Sequence, residues 1–210
     1  MINNVEAFLI AITILTLTPG LDTALVIRNT TRGGFSDGCV TSVGIGMGLF
    51  VHATLSAIGV SAILAQSAEL FNIVKMIGAT YLLYLGGTSL YSTLQGNAPL
   101  QINERQASSL NIKRSLREGF LSNVLNPKTA VFYLAFLPQF INPESSPLLQ
   151  SLLMAGTHFL LAMIWQCGLA GALNKAKKLL NSARFMRYME ATTGIILIAL
   201  GIKLLLEKSP

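Results

Sequence analysis

The sequence predicts an all-α integral membrane protein in which six transmembrane helices form two inverted three-helix repeats. First, 52% of the 210 residues are hydrophobic and only 11% are charged, whereas an average soluble domain is about a quarter charged. Second, six mainly apolar runs are close to the roughly 20 residues that cross the hydrocarbon of a bilayer. Third, one polar linker divides these runs into two sets of three. This composition excludes a soluble enzyme and a disordered chain.

The predicted spans are continuous apolar runs without the alternation of a barrel strand. They cover residues 5–27, 39–66, 71–94, 119–141, 147–173 and 189–206. No Lys or Arg precedes the first run, so it lacks the positive start of a cleavable signal peptide. We therefore expect it to remain as the first span.

Basic residues determine the predicted orientation. Of fifteen Lys and Arg residues, eleven follow spans 1, 3 and 5, and short basic loops stay in the cytoplasm. The eleven are Arg28, Arg32, Arg105, Lys113, Arg114, Arg117, Lys175, Lys177, Lys178, Arg184 and Arg187. Both termini and the short loops at 67–70 and 142–146 are therefore expected outside. Anionic membrane lipid explains the net charge of +6, with segment 175–187 lying on the membrane surface, so no nucleic-acid partner is predicted.

The polar linker at 95–118 separates a first repeat at 1–94 from a second at 119–210. Because each set contains an odd number of spans, the second is inverted relative to the first, which is the parity of an inverted-repeat transporter. Two spacings favour a duplicated unit. Pro19 and Pro127 are 108 residues apart, and the only two histidines, His52 and His158, are 106 apart.

The candidate site lies where prolines interrupt spans 1 and 4, in Thr18-Pro19-Gly20 and Asn126-Pro127-Lys128. A proline frees backbone hydrogen-bonding groups, and in hydrocarbon these groups need partners. An ionisable residue stands beside each break, and a charge within a span is a functional candidate. The predicted substrate-binding residues are Pro19, Gly20, Asp22, Asn123, Asn126, Pro127 and Lys128.

Asp22 and Lys128 are predicted at similar depths from the cytoplasmic side, so we expect them to pair or to share a substrate. Alternatively, Lys128 extends to the membrane interface and Asp22 caps a half-helix. Asn123 and Asn126 add amide groups to the same stretch. Gln139 is a weaker candidate nearer the outer side.

Asp22, His52 and His158 are the candidates for proton coupling, because histidine titrates near physiological pH. The simpler interpretation of each histidine is a neutral imidazole hydrogen bonded between helices. The spacing of His, Cys, Asp and Glu contains no metal motif, and no cofactor is predicted. Cys39 and Cys167, 128 residues apart, are expected to be buried free thiols.

Several motifs resemble the lysine-exporter (LysE/RhtB-type) amino-acid efflux family, in its threonine/homoserine-type branch. They are LTPGLD at 17–22, KMIGATYLLYLG at 75–86, NVLNPK at 123–128 and FLPQF at 136–140. Leu21 replaces the family's second proline, and Thr23 stands where Asn is frequent. The resemblance implies export of amino acids or related small metabolites from the cytoplasm by proton antiport. With the orientation predicted from the basic residues, the protein is expected to be a multi-pass protein of the bacterial inner membrane with both termini in the periplasm.

The sequence therefore predicts a secondary transporter and not an enzyme, with an amino acid and membrane lipids as its partners. One alternative is a non-transporting assembly subunit whose polar residues serve only helix packing. Another is a membrane-embedded redox enzyme, which would need paired cysteines. Because the small-residue faces suit contacts within one chain and between chains, a homo-oligomer stays open.

Overall fold

The computed structural model describes residues 4–66, 68–95, 110–142, 144–172 and 182–206, and within them it contains helices and no strand. The helices are α1 (Val5–Leu17), α2 (Leu21–Gln66), α3 (Ala68–Gln95), α4 (Ile112–Val124), α5 (Pro127–Val131), α6 (Pro147–Gly171) and α7 (Ala183–Leu206). A π-helical turn (Phe132–Phe136) and a 3₁₀ turn (Leu137–Phe140) follow α5 directly. The all-α prediction is confirmed for the described residues.

Both predicted helix breaks are present. α1 ends at Leu17 and α2 begins at Leu21, while α4 ends at Val124 and α5 begins at Pro127. At the second break, the Asn126 side chain caps α5 by accepting a hydrogen bond from the backbone N–H of Lys128 at 3.1 Å. Proline suits the first helical position because it has no N–H to leave unpaired.

The predicted loop between spans 1 and 2 is wrong, because this stretch is helical. α2 departs from helical geometry only at Gly33 and Gly34, and Gly34 has φ +78° and ψ −173°. A residue with a side chain is strained in that conformation, whereas glycine is not. The glycine pair therefore divides α2 into two segments, which we name α2a (21–32) and α2b (35–66).

Other predicted boundaries also shift. α4 begins at Ile112, inside the predicted linker 95–118, whose residues 96–109 lie outside the described part of the chain. α3 begins at Ala68, so the predicted loop at 67–70 is largely helical, and Ser67 is outside the described residues. Of the predicted surface segment 175–187, only 182–187 are described, and α7 already begins at Ala183.

Two described helices are long and apolar enough to cross a membrane, Leu21–Gly59 and Pro147–Gly171, and α1 is a shorter apolar helix. The distribution of side chains also suits an apolar surrounding. Ile164 and Ile77 are 75% and 65% exposed, whereas Asn29 and Asp37 are fully buried. Large exposed apolar surface, with charged and amide side chains buried beside the hydrophobic core, is unusual for a soluble monomer and indicates a membrane protein.

Glycines let the helices approach closely. α2 packs against α4 and α6, and α3 packs against α7. Gly44 lies against the Leu116 carbonyl and Gly119 against the Thr41 carbonyl, leaving no room for a Cβ. Small residues allow such backbone contact between membrane helices. These contacts fix α4 beside α2b and so position the second helix break.

Candidate functional site

The site is built from two helix breaks that supply each other's polar partners. Residues of the second break hydrogen bond the Asp22 carboxylate, which lies in the first turn of α2. In the opposite sense, Lys128 of the second break donates from Nζ to the Thr18 carbonyl of the first break at 3.4 Å. The Thr18 carbonyl, exposed by the first interruption, is therefore satisfied inside the protein, as a membrane interior requires.

Neutral donors surround the Asp22 carboxylate. Ser122 Oγ donates to Oδ1 at 2.7 Å, Asn123 Nδ2 donates to Oδ2 at 2.9 Å, and Asn126 Nδ2 donates to Oδ2 at 3.3 Å. Asn123 and Asn126 are buried. The carboxylate is thus held by hydrogen bonds, with no cation of the described residues in contact with it, so a cationic ligand group remains a favourable partner.

Asp22 and Lys128 do not form a direct ion pair. Among the described residues, the ion pairs within 4.0 Å involve other side chains. Of the two expected arrangements, a direct pair or a shared substrate contact, the geometry does not show the direct pair, because Lys128 reaches the Thr18 carbonyl while Asp22 is held by α4. Instead, both residues line one small cavity, as the prediction of a shared location required.

This cavity has a volume of about 40 Å³, enough for roughly three water molecules. It mixes polar and apolar walls contributed by α1, α2, α4, α5 and α6. The lining residues are Leu15, Thr16, Thr18, Gly20, Leu21, Asp22, Thr23, Ile45, Leu49, Asn123, Asn126, Lys128, Thr129, His158, Ala162 and Gln166.

The two prolines do not line the cavity, although they were predicted to bind substrate. Pro19 lies within the first break, and Pro127 is the exposed first residue of α5. Both act by ending or starting a helix, which places polar groups beside the cavity. Gly20 does line it, and a Cβ there would lie 3.9 Å from Lys128 Nζ.

Both histidines are buried and hydrogen bonded between helices, as the simpler interpretation predicted. His158 contacts Tyr133 Oη through Nδ1 and Thr16 Oγ1 through Nε2, each at 3.0 Å. His52 contacts the Asn123 carbonyl through Nε2 at 3.0 Å. Only His158 lines the cavity. Gln139 lies apart from it and donates to the Phe136 carbonyl.

Sequence reasoning missed several polar residues of the cavity. Thr16, Thr129 and Gln166 line it, and Ser122 donates to Asp22. Their residue types are common in membrane helices and give no signal alone. One signal was available for Gln166, because His158, Ala162 and Gln166 are spaced four residues apart and share a face of α6.

A second polar cluster, also missed, joins α2a to α4 around Glu118. Arg28 Nη2 and Asn29 Nδ2 donate to Glu118 Oε2 at 2.7 and 2.9 Å, and Arg32 Nη1 donates at 3.2 Å. Burial alone would raise the pKa of Glu118, but the Asn29 hydrogen bond and the charges of Arg28 and Arg32 outweigh it and lower that pKa below its ordinary value of 4.5.

Asp37 completes this cluster from the start of α2b. Arg32 Nε donates to Asp37 Oδ2 at 3.2 Å, and Ser115 Oγ also donates to the Asp37 carboxylate. Arg32 thus contacts the carboxylates of both Asp37 and Glu118. Two cations and two carboxylates therefore neutralise one another across the Gly33–Gly34 break.

Within the described residues, no group of three or more His, Cys, Asp or Glu side chains is arranged to hold a metal ion. Cys39 and Cys167 are free thiols as predicted, but they are half-buried and not fully buried, and they interact with each other across the contact between α2 and α6. Their large sequence separation concealed this proximity.

Broken helices around a small polar cavity, within a bundle that exposes apolar side chains, define a membrane transport protein. The chain matches the LysE type translocator family over residues 13–208. It therefore belongs to that family, as its motifs indicated. A translocator moves its substrate without transforming it, so the protein is not an enzyme and the alternative of a redox enzyme is wrong.

Three relatives show the range of the family. The chain is 32% identical to the uncharacterized membrane protein YrhP of Bacillus subtilis (strain 168), with 96% of this chain and 98% of that protein covered. It is 31% identical to the leucine efflux protein of Enterobacter sp. (strain 638), covering 73% and 71%. It is 27% identical to the homoserine/homoserine lactone efflux protein of Salmonella typhi, covering 93% and 92%. No solved structure matches the chain.

Proposed function

We propose that this protein exports small amino acids from the cytoplasm across the bacterial inner membrane in exchange for protons. The observation that carries the proposal is the placement of Asp22 and Lys128 on one cavity without a direct ion pair. An amino acid carries an ammonium group and a carboxylate, which complement these two charges. The relatives named as leucine and homoserine efflux proteins support the substrate class and the direction.

In this mechanism the Asp22 carboxylate binds the substrate ammonium group, and Lys128 Nζ binds the substrate carboxylate. Lys128 then exchanges its 3.4 Å contact with the Thr18 carbonyl for a charged partner, which is the stronger acceptor. The amides of Asn123 and Asn126 keep the Asp22 carboxylate in place. Bound substrate therefore gives Asp22 and Lys128 each an oppositely charged partner, in addition to the neutral hydrogen bonds within the protein.

Proton coupling follows if Asp22 binds either a proton or the substrate ammonium group. A protonated carboxyl group no longer attracts a cation, so proton binding from outside promotes substrate release there. Proton loss to the cytoplasm restores the site. His158 lines the same cavity and is a second candidate for the proton path, whereas His52 stands outside it.

We further propose the six-span inverted repeat as the membrane arrangement, with repeats at 1–94 and 119–210 joined by the cytoplasmic linker 95–118. Gly86 and Gly194, also 108 residues apart, support it because they pack on each other. A Cβ at Gly86 would lie 2.7 Å from the Gly194 carbonyl, and one at Gly194 would lie 2.8 Å from the Gly86 carbonyl. Equivalent residues contact each other in this reciprocal way at a two-fold axis.

Both termini are then periplasmic, and the exposed apolar side chains face lipid. Labelling with a membrane-impermeant thiol reagent in intact cells tests this orientation in a background without Cys39 and Cys167. The variant Ser145→Cys should be labelled from outside, and Asn181→Cys should not. Labelling of Asn181→Cys alone would reverse the topology and leave the cavity unaffected. Single cysteines introduced into the same background also test for a homo-oligomer, because crosslinking between two copies of the chain would produce a dimer.

Reconstituted liposomes test the transport function. Vesicles that contain the purified protein and a labelled amino acid should release the amino acid faster than protein-free vesicles loaded in the same way. A proton gradient directed into the vesicles should accelerate this release. Asp22→Asn is the control for specific flux. No flux for any member of an amino-acid panel would overturn the function, whereas flux that ignores the proton gradient would overturn only the coupling.

A further inference from the structure

Two side-chain oxygens of the cavity-lining residues are buried without a hydrogen bond, Asn123 Oδ1 and Gln166 Oε1. Buried polar atoms in native proteins nearly always have a partner, because leaving one unpaired costs free energy. Each exception in a binding cavity therefore needs an explanation, and a ligand is the obvious one to test.

Asn123 has a structural explanation. Its Nδ2 donates to Asp22 at 2.9 Å, and its Oδ1 is packed against α2b, where a Cβ at Gly48 would lie only 2.6 Å away. The side chain is thus fixed by the Asp22 contact on one side and by the helix backbone on the other. It has no freedom to turn toward a ligand.

Gln166 has no such explanation. It is 6% exposed, it lines the cavity, and the described residues include no hydrogen-bond partner for its Oε1. Rotation of the terminal amide is a soft torsion, so the group can present either its oxygen or its nitrogen to the cavity. Gln166 therefore offers the cavity an acceptor, Oε1, that the described residues leave unused, and its amide can also donate.

Gln166 lies on a different helix from Asp22 and Lys128, whose charges bind the ammonium and carboxylate groups common to all amino acids. The charges that bind the ammonium and carboxylate ends come from α2a and α5, whereas Gln166 comes from α6. It stands two helical turns beyond His158 on the same face, roughly 12 Å along the axis. The wall also includes Ile45, Leu49 and Ala162, which provide apolar contact for the stem of a substrate side chain.

We propose, on the basis of the function proposed above, that Gln166 determines specificity by hydrogen bonding the side chain of the transported amino acid. An amide that both donates and accepts matches a hydroxyl or amide group. An aliphatic side chain would keep the Gln166 amide unpaired, and sites built for a polar group reject apolar analogues for that reason. The preferred substrates are small amino acids whose side chains end in a hydroxyl or amide.

Homoserine and norvaline provide the test, because they have the same length and differ by a terminal hydroxyl in place of a methyl. In reconstituted liposomes, the wild-type protein should transport homoserine about tenfold more efficiently than norvaline, as expected for one hydrogen bond to a buried amide. Gln166→Met keeps the side-chain length without the amide and should bring the ratio close to one. Gln139→Met is the matched control outside the cavity and should keep the wild-type ratio.

Thermal stability in detergent separates specificity from folding. Gln166→Met should be at least as stable as the wild type, because it removes an unpaired buried amide. A wild-type preference for norvaline, or an unchanged ratio in a folded Gln166→Met variant, would overturn the role of Gln166. If Gln166→Met does not fold, the ratio of homoserine to norvaline transport by the wild-type protein decides the test, and a ratio of one or less would overturn the proposal. Failure of the proposed function is distinct, because the wild type would then transport neither amino acid.

Discussion

Two polar clusters join α2a to α4, and they differ in how their charges are satisfied. The Asp22 cluster (Asp22, Ser122, Asn123 and Asn126) holds one carboxylate with neutral donors. The Glu118 cluster (Arg28, Asn29, Arg32, Asp37, Ser115 and Glu118) contains two cations and two carboxylates in direct contact. Glu118 and Ser122 are four residues apart on α4, so one helical turn separates the two clusters.

This difference indicates that the Asp22 cluster is suited to binding a ligand, whereas the Glu118 cluster is suited to holding two helices together. A carboxylate held by neutral donors still attracts a cation, whereas charges that are already paired gain little from another ion. The Asp22 cluster is therefore suited to a ligand that arrives and leaves. The Glu118 cluster is suited to holding α2a against α4 on the predicted cytoplasmic side, across the helix break at Gly33–Gly34.

The largest effect is expected from the charges of the cavity. Asp22→Asn and Lys128→Gln should each abolish liposome flux, because each removes one of the two charges that bind the substrate. Asp22 and Lys128 are half-buried on one cavity, so losing one charge removes the long-range attraction on the other, and each single variant should also be less stable than the wild type.

The double variant separates stability from binding. Asp22→Asn with Lys128→Gln should recover detergent thermal stability relative to either single change, yet remain inactive. Strictly additive stability losses would show that the two residues are not coupled. Normal flux in either single variant would remove that residue from the site and would weaken the contrast between the two clusters.

A smaller effect is expected from the Glu118 cluster, and it should affect stability more than binding. Glu118→Gln removes a carboxylate that Arg28, Asn29 and Arg32 all contact, so the free energy of unfolding should fall by about 1–3 kcal/mol. Glu144→Gln, an exposed glutamate, is the matched control and should change stability by less than about 0.5 kcal/mol. Substrate affinity measured by competition should be unchanged in Glu118→Gln, and a large loss of affinity would place Glu118 in the site.

The sequence predicted the helix breaks and most of the charged cavity because proline and intramembrane charge are strong local signals. Pro19 and Pro127 cannot stand inside an unbroken helix without removing a hydrogen bond, and Asp22 and Lys128 are too costly in hydrocarbon to lack a role. The Glu118 cluster could not be predicted in the same way. Arg28 and Arg32 counted only as loop charges, and the continuation of α2 through them depends on packing against α4, where Gly119 meets Thr41.

Gln166 and Ser122 were missed for a different reason. A membrane helix tolerates a single amide or hydroxyl in an apolar run, and the role of that group depends on which residue it contacts in the folded protein. The same limit applies to Cys39 and Cys167, which lie far apart in the sequence and interact in the fold.

The histidines should show a still smaller effect. His52→Gln should retain most of the flux, because His52 lies outside the cavity and glutamine can donate the same hydrogen bond to the Asn123 carbonyl. His158→Gln should reduce flux several-fold at most, since His158 lines the cavity beside Thr16 and Tyr133. Complete loss of flux in both variants, at normal expression and thermal stability, would contradict this and would indicate a proton relay.

The smallest expected effect is the loss of thermal stability at acidic pH that arises from protonation of Glu118. The pKa of Glu118 is lower in the folded protein than its ordinary value of 4.5, so its ion pairs stabilise the fold fully above that value. As the pH falls from about 4.5 through the folded pKa, Glu118 binds a proton and this stabilisation is lost. Thermal stability in detergent, followed from pH 7 to well below pH 4.5, should therefore decline less in Glu118→Gln than in the wild type, and Glu144→Gln should follow the wild type. Parallel curves for all three proteins would show that Glu118 is not held in its charged form by α2a.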